Sequence, residues 1–244
     1  MLSILGVIIA FSALLGGNFL EGGNWQSLLN GPAAIIVIGG TLGAAILQTP
    51  KHALKRAIKL FSWVFTPPQL SYKKGISRVV GWAKASRKNG LLGLESVAEK
   101  ERDAIAKKGL RLLVDGAEPS EMRVVLENDI LIAEQRDHEA VNFYESMGGY
   151  APTIGIIGAV MGLIHVMQHL ADPAELGPGI AIAFVATIYG VAFANLLLLP
   201  VANKLRQCVR ENSQYQELLV TGIVAIAEGE NPKAIEMKLS GYLS

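Results

Sequence analysis

The sequence predicts an all-α integral membrane protein with four transmembrane helices, a helical cytoplasmic domain between spans two and three, and a helical C-terminal tail. Apolar residues make up 51% of the 244-residue chain. They concentrate in four runs, each close to the roughly 20 residues that cross a bilayer. All 22 Lys and Arg residues lie between Lys51 and Arg136 or between Lys204 and Lys238, and the four runs contain no Asp, Glu, Lys or Arg.

The runs and the charges between them also predict a topology. The predicted spans cover residues 2–20, 32–47, 150–170 and 180–201. Span one has the length of a signal peptide, but it lacks a basic start and a clean cleavage site, so a retained helix is expected. Basic residues follow spans two and four, whereas the links 21–31 and 171–179 contain none. The positive-inside rule therefore places both termini and both basic segments in the cytoplasm.

Turn residues and apolar spacing divide the chain further. The predicted parts are 1–50 for spans one and two, 51–148 for the cytoplasmic domain, 149–203 for spans three and four, and 204–244 for the C-terminal helices. Within the last three parts, helices are expected over 51–65 as a continuation of span two, and over 72–88, 94–114, 120–147 running into span three, 206–227 continuing span four, and a short helix after Asn231-Pro232. No strand pattern is present.

Small residues recur at helical spacing in spans three and four. They are Gly155, Gly158, Gly162, Ala183, Thr187, Gly190 and Ala194. Small side chains allow helix backbones to approach closely in lipid. Two interpretations are open at this point. The face is used for tight helix packing, or it lines a pore or holds a partner helix.

The spans lack the groups that ion transport requires. A transporter needs a titratable or ion-coordinating group near the middle of the membrane. The polar groups available are Thr153, Thr187, Tyr189, Asn195 and, nearer the outer end, His165 and His169. If ions move, the acidic group must come from another subunit. The two His residues, four apart, are more typical of polar packing than of a metal site.

Other classes of function find no support in the sequence. No nucleotide-binding loop, nucleophile elbow or zinc protease motif is present, so no enzyme is predicted. The net charge of +1 gives no indication of nucleic-acid binding. Cys208 is the only cysteine, which excludes an intrachain disulfide, and we interpret it as a reduced cytoplasmic thiol.

Three motifs resemble the flagellar motor stator subunit family, the MotA/PomA proteins, in its proton-driven form. They are the run APTIGIIGAVMGL over residues 151–163, Asp172-Pro173 followed by GPGIAIA over 177–183, and Thr187-Ile-Tyr-Gly190 leading to Pro200-Val-Ala202. The resemblance covers essentially the whole chain, including the long loop between spans two and three.

The resemblance implies an assembly and a function. In this family five such chains surround two copies of a single-span partner, MotB or PomB, which carries the membrane Asp and a peptidoglycan-binding domain. Ion flow across the bacterial inner membrane turns the pentamer, whose cytoplasmic domain drives the rotor protein FliG. Each charge yields about 2.3 kcal/mol per 100 mV. No cofactor is implied beyond the transported ion.

The resemblance also assigns roles to individual residues. Arg87 and Glu95 match the family's charged rotor-contact positions, and Lys88 lies beside Arg87. Pro152 and Pro200 match the two prolines at the borders of spans three and four, where a missing backbone donor suits a conformational change.

Three further positions concern the ion path. Thr187 matches the span-four threonine that faces the path, and Thr153 adds a nearby hydroxyl. Sodium-driven members carry a threonine at the position of Ala159, so a proton-driven stator is expected. The alternatives are a sodium-driven PomA-type stator, an ExbB/TolQ-type subunit with three spans and the large loop after the first, and a membrane scaffold that conducts nothing.

Overall fold

The computed structural model describes residues 2–170 and 173–243, and in this part of the chain every regular element is helical. The predicted link 171–179 begins with Ala171 and Asp172, which lie outside the described residues. Four helices are long and apolar enough to cross a membrane. The predicted all-α class and the number of spans are therefore confirmed.

The span helices have the following bounds. Span one is Leu2–Leu20; span two is Gly31–Ala34, a π-helix Ile35–Gly39 and Gly40–Gln48; span three lies within Pro119–Gln168; span four comprises Pro173–Phe193, a π-helix Ala194–Leu198 and the start of Leu199–Ala227. The predictions that a loop helix runs into span three and that the tail continues span four are confirmed. The two π-helices were not predicted.

The prediction that a helix continues from span two is wrong. The chain turns at Thr49 and Pro50, whose φ/ψ values are −95°/125° and −60°/147°, before the helix Lys51–Phe61 and the 3-10 turn Ser62–Val64. The ring of Pro50 disfavours helical geometry at Thr49. Span two therefore ends at Gln48, and the next helix is a separate element.

The single helix predicted over 94–114 is also wrong. The structure has a 3-10 turn Leu91–Leu94 and two helices, Glu95–Lys100 and Ala104–Val114. The break is held by side chains, because the Glu101 carboxylate accepts hydrogen bonds from the amides of Arg102 (2.7 Å) and Asp103 (2.9 Å). The Asp103 side chain then caps the second helix by accepting from the amide of Ala106.

Two compact units make up the chain. The span unit is Met1–Pro67 with Asp137–Arg206, and the loop unit is Pro68–Arg136 with Gln207–Ser244. The span unit thus contains the four spans together with the helix Lys51–Phe61. The loop unit is formed by the rest of the long loop and by the C-terminal tail.

A continuous apolar core fills the loop unit. Helix Tyr72–Asn89 buries Ile76, Val79, Val80 and Ala83, the face expected from the sequence. The helix ends at Gly90, whose φ of +72° is costly for other residues. The remaining core members with fully buried side chains include Leu94, Leu110, Leu113, Met122, Leu126, Leu218, Leu219, Ile223, Ile235 and Leu239.

The last helix, Pro232–Ser240, closes this core. Asn231 accepts a hydrogen bond from the amide of Lys233 at 3.1 Å, and Pro232 takes the first helical position, where a missing N–H costs nothing. Ile235 and Leu239, four residues apart, face the core. The predicted start of this helix is confirmed.

Candidate functional site

Spans three and four contact each other through their backbones. A Cβ atom on Gly155 would lie 2.9 Å from the carbonyl oxygen of Ala186, and one on Gly162 would lie 2.8 Å from the amide nitrogen of Ala183. A Cβ on Gly190 would lie only 2.5 Å from the carbonyl oxygen of Ala151. Residue numbers rise on one helix as they fall on the other, so the helices are antiparallel. Glycine is required here because no side chain fits between the two backbones.

Span two packs beside this contact. A Cβ on Gly158 would meet the Ala186 methyl group at 2.8 Å and the Ile36 side chain at 3.4 Å. Ala33 and Val37 of span two form a small buried cluster with Val185 and Ala186. The small-residue face is thus occupied within the chain.

Ala159 and Thr187 lie at the edge of the glycine contact, and both are half-buried. Ala159 follows Gly155 by four residues and Thr187 follows Ala183 by four, so each is rotated about 40° from the contact line. Because the helices are antiparallel, these equal rotations put both residues on the same side of the contact. The Thr187 hydroxyl donates to the Ala183 carbonyl at 3.2 Å.

Thr153 is not brought to this edge. It lies two residues before Gly155, which places it on the opposite side of span three. Its side chain is exposed, and its hydroxyl donates to the Tyr150 carbonyl at 2.8 Å.

Pro152 and Pro200 lie inside helices rather than at helix ends. Pro152 is within Pro119–Gln168, where it removes the hydrogen bond that an amide would donate to Gly148. Pro200 is the second residue after the π-helix Ala194–Leu198. A proline next to a π-helix is a point where a helix bends or changes its hydrogen bonding.

The structure adds Thr41, which the sequence analysis did not single out. Thr41 is completely buried in span two, and its hydroxyl has no hydrogen-bond partner among the described residues. The signal in the sequence is a four-residue spacing, since Ala33, Val37, Thr41 and Ala45 are all fully buried. Unpaired buried hydroxyl groups are uncommon and costly.

Tyr189 is a second residue whose role was not predicted. Its hydroxyl donates to the carbonyl of Leu28 at 2.5 Å and accepts from the amide of Asn30 at 3.2 Å. These two hydrogen bonds therefore link span four to the residues just before span two.

The His pair near the outer end of span three forms a local contact. The rings of His165 and His169 are 4.4 Å apart between centroids, and Nδ1 of His169 lies 2.9 Å from the His165 carbonyl oxygen. Among the described residues no group of three metal-ligating side chains is present.

Arg87, Lys88 and Glu95 are exposed on the loop unit. Arg87 and Lys88 are in the last turn of Tyr72–Asn89, and Glu95 begins the next α-helix. None of the three pairs with an oppositely charged group in the described part of the chain. Arg87 and Lys88 line a wide groove with Lys84, Lys233 and the acidic Glu236, so this surface is predominantly basic.

A hydrogen-bonded network lies in the same unit. The Arg78 guanidinium donates to the Glu101 carboxylate and to the Tyr215 hydroxyl, and it lies 5.3 Å from the centre of the Trp82 ring. Burial alone raises the pKa of Glu101, but the hydrogen bonds from the Asp103 and Arg102 amides and from Arg78 outweigh it and hold that pKa below its usual value. The Glu101 carboxylate is thus stabilised in its charged form.

The span unit has its own ion pairs near the basic ends of the spans. Arg56 binds Asp137 through two hydrogen bonds of 2.5 and 2.8 Å, and Asp137 is 5% exposed. The hydrogen bond to Asp137 raises the pKa of Arg56. His52 contacts Glu139 at 3.1 Å, a pair that is largely exposed.

These features define an all-helical membrane protein with four candidate spans. The family model described as the MotA/TolQ/ExbB proton channel family matches residues 97–217, and the model for the N-terminal region of motility protein A matches residues 4–79. The second match covers spans one and two, the pair that separates this chain from ExbB/TolQ-type subunits.

Full-length relatives make the assignment specific. Motility protein A of Bacillus subtilis is 36% identical over 242 residues, covering 99% of this chain and 90% of the relative. The structure of C. jejuni MotAB matches with a TM-score of 0.94 at 31% identity, and that of the flagellar MotAB stator complex from Bacillus subtilis with 0.91 at 35%, each covering 99% of this chain and 95% of the solved one. The chain belongs to the motility protein A family of flagellar motor stator subunits, which is a family of ion channel subunits rather than of enzymes.

Proposed function

We propose that five copies of this chain surround two copies of a MotB-type, single-span partner in the bacterial inner membrane. The observation that carries the proposal is the lack of Asp, Glu, Lys and Arg in all four spans. An ion path needs a titratable group near the middle of the membrane. The partner's span supplies that carboxylate, and this chain supplies the surrounding wall.

Co-purification tests the assembly. A tagged copy of the chain, expressed in its native bacterium, is expected to retain a single-span protein with an Asp in its span, and native mass spectrometry should give a five-to-two complex. A partner with that Asp changed to Asn serves as the matched control, because it should assemble equally well but restore no swimming. Purification of the chain with no such partner would contradict the proposal.

The proton is the ion that fits the residues at the edge of the glycine contact. Sodium binding requires several oxygen ligands, as other hard cations do. Ala159 offers no side-chain oxygen, so of these two edge residues only Thr187 contributes one, which is fewer oxygen ligands than sodium takes. A carboxylate on the partner can carry a proton without further ligands from this chain.

Swimming in sodium-free medium tests the ion. Cells that depend on this chain are expected to keep their speed when potassium replaces sodium, and to stop when a protonophore collapses the proton gradient. The variant Ala159→Thr serves as a probe of the path. Loss of rotation in the absence of sodium would show that a sodium-driven stator is the correct alternative.

The basic surface of the loop unit is the part that we assign to the rotor protein FliG. Arg87, Lys88 and Glu95 are exposed and have no charged partner among the described residues, so they are available to a partner. Arg87→Glu is expected to reduce swimming by more than half without lowering the amount of protein in the membrane. Arg111→Glu, an exposed residue on another helix, should have little effect. Equal effects of the two changes would contradict the assignment.

Pro152 and Pro200 are proposed to allow the helix ends to bend as the ion passes. The support is their position inside continuous helices, with the π-helix Ala194–Leu198 just before Pro200. Pro200→Ala should slow rotation while assembly with the partner is retained. Wild-type torque from this variant would remove Pro200 from the mechanism.

We also propose an orientation with both termini and both basic segments in the cytoplasm. Its support is the complete absence of Lys and Arg before residue 51 and between residues 149 and 203. Labelling in whole cells with a membrane-impermeant thiol reagent tests it in a Cys208→Ser background. Gln26→Cys should react, and Arg210→Cys should react only after the cells are opened.

A further inference from the structure

An apolar groove runs along the span unit between span one and span four. Its first section is a cavity of about 330 Å³ lined by Ser3, Gly6, Val7 and Ala10 of span one, and by Pro200 and Lys204 at the end of span four, among others. Gly6 leaves the groove open, since a Cβ there would meet nothing within 4 Å.

The groove continues into a second cavity of about 360 Å³. The two sections share Leu197, and the second is lined by Phe11 of span one and by Phe193 and Tyr189 of span four. From Lys204 to Tyr189 the helix rises roughly 22 Å at 1.5 Å per residue. This length is close to half of the 40–45 Å thickness of a bilayer with its headgroups, so it matches one lipid molecule from headgroup to tail.

Polar groups gather at one end of this groove. The Lys204 ammonium donates to the Ser3 hydroxyl, and that hydroxyl donates to the Val64 carbonyl at 3.0 Å. At the other end the Tyr189 hydroxyl already bonds to Leu28 and Asn30. The groove therefore has a cationic end and an apolar end.

Lys204 has no carboxylate partner within the described residues. The acids that lie near the basic ends of the spans are already paired, as Asp137 with Arg56, Glu139 with His52, and Glu145 with Arg206. A cation at a membrane surface beside an apolar groove attracts an anionic lipid headgroup.

We propose that the groove is a binding site for an anionic phospholipid. The lipid phosphate accepts a hydrogen bond from the Lys204 ammonium, which Ser3 helps to hold at the end of the groove, and one acyl chain follows the groove past Leu197 toward Phe193. In the orientation proposed above, the lipid comes from the cytoplasmic leaflet. A second copy of this chain is a poorer occupant, because its uncharged spans would bring no negative charge to Lys204.

Lipid retention by the purified stator complex tests this proposal. The complex is stripped with detergent, incubated with phosphatidylglycerol or with phosphatidylcholine of the same acyl chains, and examined by native mass spectrometry. Two variants alter different parts of the site: Lys204→Gln removes the charge, and Gly6→Leu fills the groove. Lys59→Gln is the matched control, since Lys59 is an exposed lysine on Lys51–Phe61 that does not line the groove.

The wild-type complex and Lys59→Gln are expected to retain phosphatidylglycerol in preference to phosphatidylcholine. Lys204→Gln should lose at least about fivefold in retention, the effect of one basic group near a lipid surface. Gly6→Leu should also retain less lipid than the wild type, because its side chain occupies the space of the acyl chain. Equal retention by Lys204→Gln and Lys59→Gln, or no preference between the two lipids, would overturn the proposal. So would a structure of the complex with a neighbouring copy's helix in the groove. If Lys204→Gln fails to assemble, Gly6→Leu alone decides the outcome.

Discussion

The span unit and the loop unit are both all-helical, but their helices are held together in opposite ways. In the span unit, Gly155 and Gly190 remove side chains so that two backbones touch. In the loop unit, Leu110, Leu126 and Leu218 fill the space between helices and are completely buried. Lipid gives no hydrophobic gain for helix association, so close contact must supply the energy. In water, the burial of apolar area is itself favourable, so large buried side chains stabilise the loop unit.

The largest expected effect of this contrast is the loss of a core side chain in the loop unit. Leu110→Ala should lower the free energy of unfolding of the loop unit by about 2–5 kcal/mol, because a cavity remains where the side chain was. Hydrogen exchange of the helix Tyr72–Asn89 in the full-length protein measures it. Leu92→Ala is the control, since Leu92 is 74% exposed. Similar exchange in the two variants would mean that the core does not carry the stability of this unit.

The span unit should instead be sensitive to an added methyl group. Gly190→Ala places a Cβ atom 2.5 Å from the Ala151 carbonyl oxygen, and the backbone must move to relieve it. Overpacking of this kind costs about 1–3 kcal/mol, so the melting temperature in detergent should fall and swimming should be impaired. Gly43→Ala has no atom within 4 Å of the new Cβ and should be tolerated. Equal melting temperatures for Gly190→Ala and Gly43→Ala would show that close backbone contact does not hold the span unit together.

Two ion pairs of the span unit differ in burial, so their loss should differ in cost. Asp137→Asn removes the negative charge and one of the two oxygens that accept from Arg56, and it leaves a half-buried cation without a counter-charge, at a cost of about 2 kcal/mol. Glu139→Gln disturbs only the exposed pair with His52 and should cost less than about 1 kcal/mol. Thermal unfolding of the two variants in the same detergent measures the difference. An equal loss would show that burial of Asp137 contributes nothing.

The smallest expected effect is a pH dependence in the loop unit. The pKa of Glu101 is held below its ordinary value of 4.5, so its stabilising effect is complete above that pH and disappears as the pH falls through the lowered value. The difference in stability between wild type and Glu101→Gln should therefore be on the order of 1 kcal/mol at pH 7 and shrink below about pH 4.5. A difference that is constant from pH 7 to pH 3 would exclude this role. Glu95→Gln, at an exposed position, is the control.

Much of the fold could be predicted because membrane spans appear in the sequence as long uncharged runs and cytoplasmic segments as clusters of basic residues. Four uncharged runs and two basic segments indicated the spans and their number. Pro67-Pro68, Gly90 and Asn231-Pro232 marked helix ends that the structure confirms. These signals are local, since each residue limits its own backbone or that of its neighbour.

The errors came from side chains that act on neighbouring amides and from packing between distant helices. Pro50 was overlooked within an apparently continuous helical segment, although its effect on Thr49 is local. The break at Glu101 depends on a carboxylate that accepts from two backbone amides, which helical spacing does not reveal. The burial of Thr41 depends on what other spans place against it, and the sequence of one span does not contain that information.

Only some of the residue positions at the candidate site could be predicted from the sequence. Ala159 and Thr187 border the same edge of the contact between spans three and four, whereas Thr153 lies on the far side of span three. The small-residue spacing left both helix packing and pore lining open. The structure uses that face for packing within the chain.

Motor rotation is the measurement that shows whether this chain forms an ion path whose acid lies on a partner. Beads attached to flagella of the native bacterium, deleted for its own stator genes, report torque as the chain is expressed with its single-span partner. Rotation is expected with the wild-type partner and none with a partner whose span Asp is changed to Asn, although both complexes assemble. Rotation driven by this chain with the Asn partner, or by this chain alone, would contradict the claim.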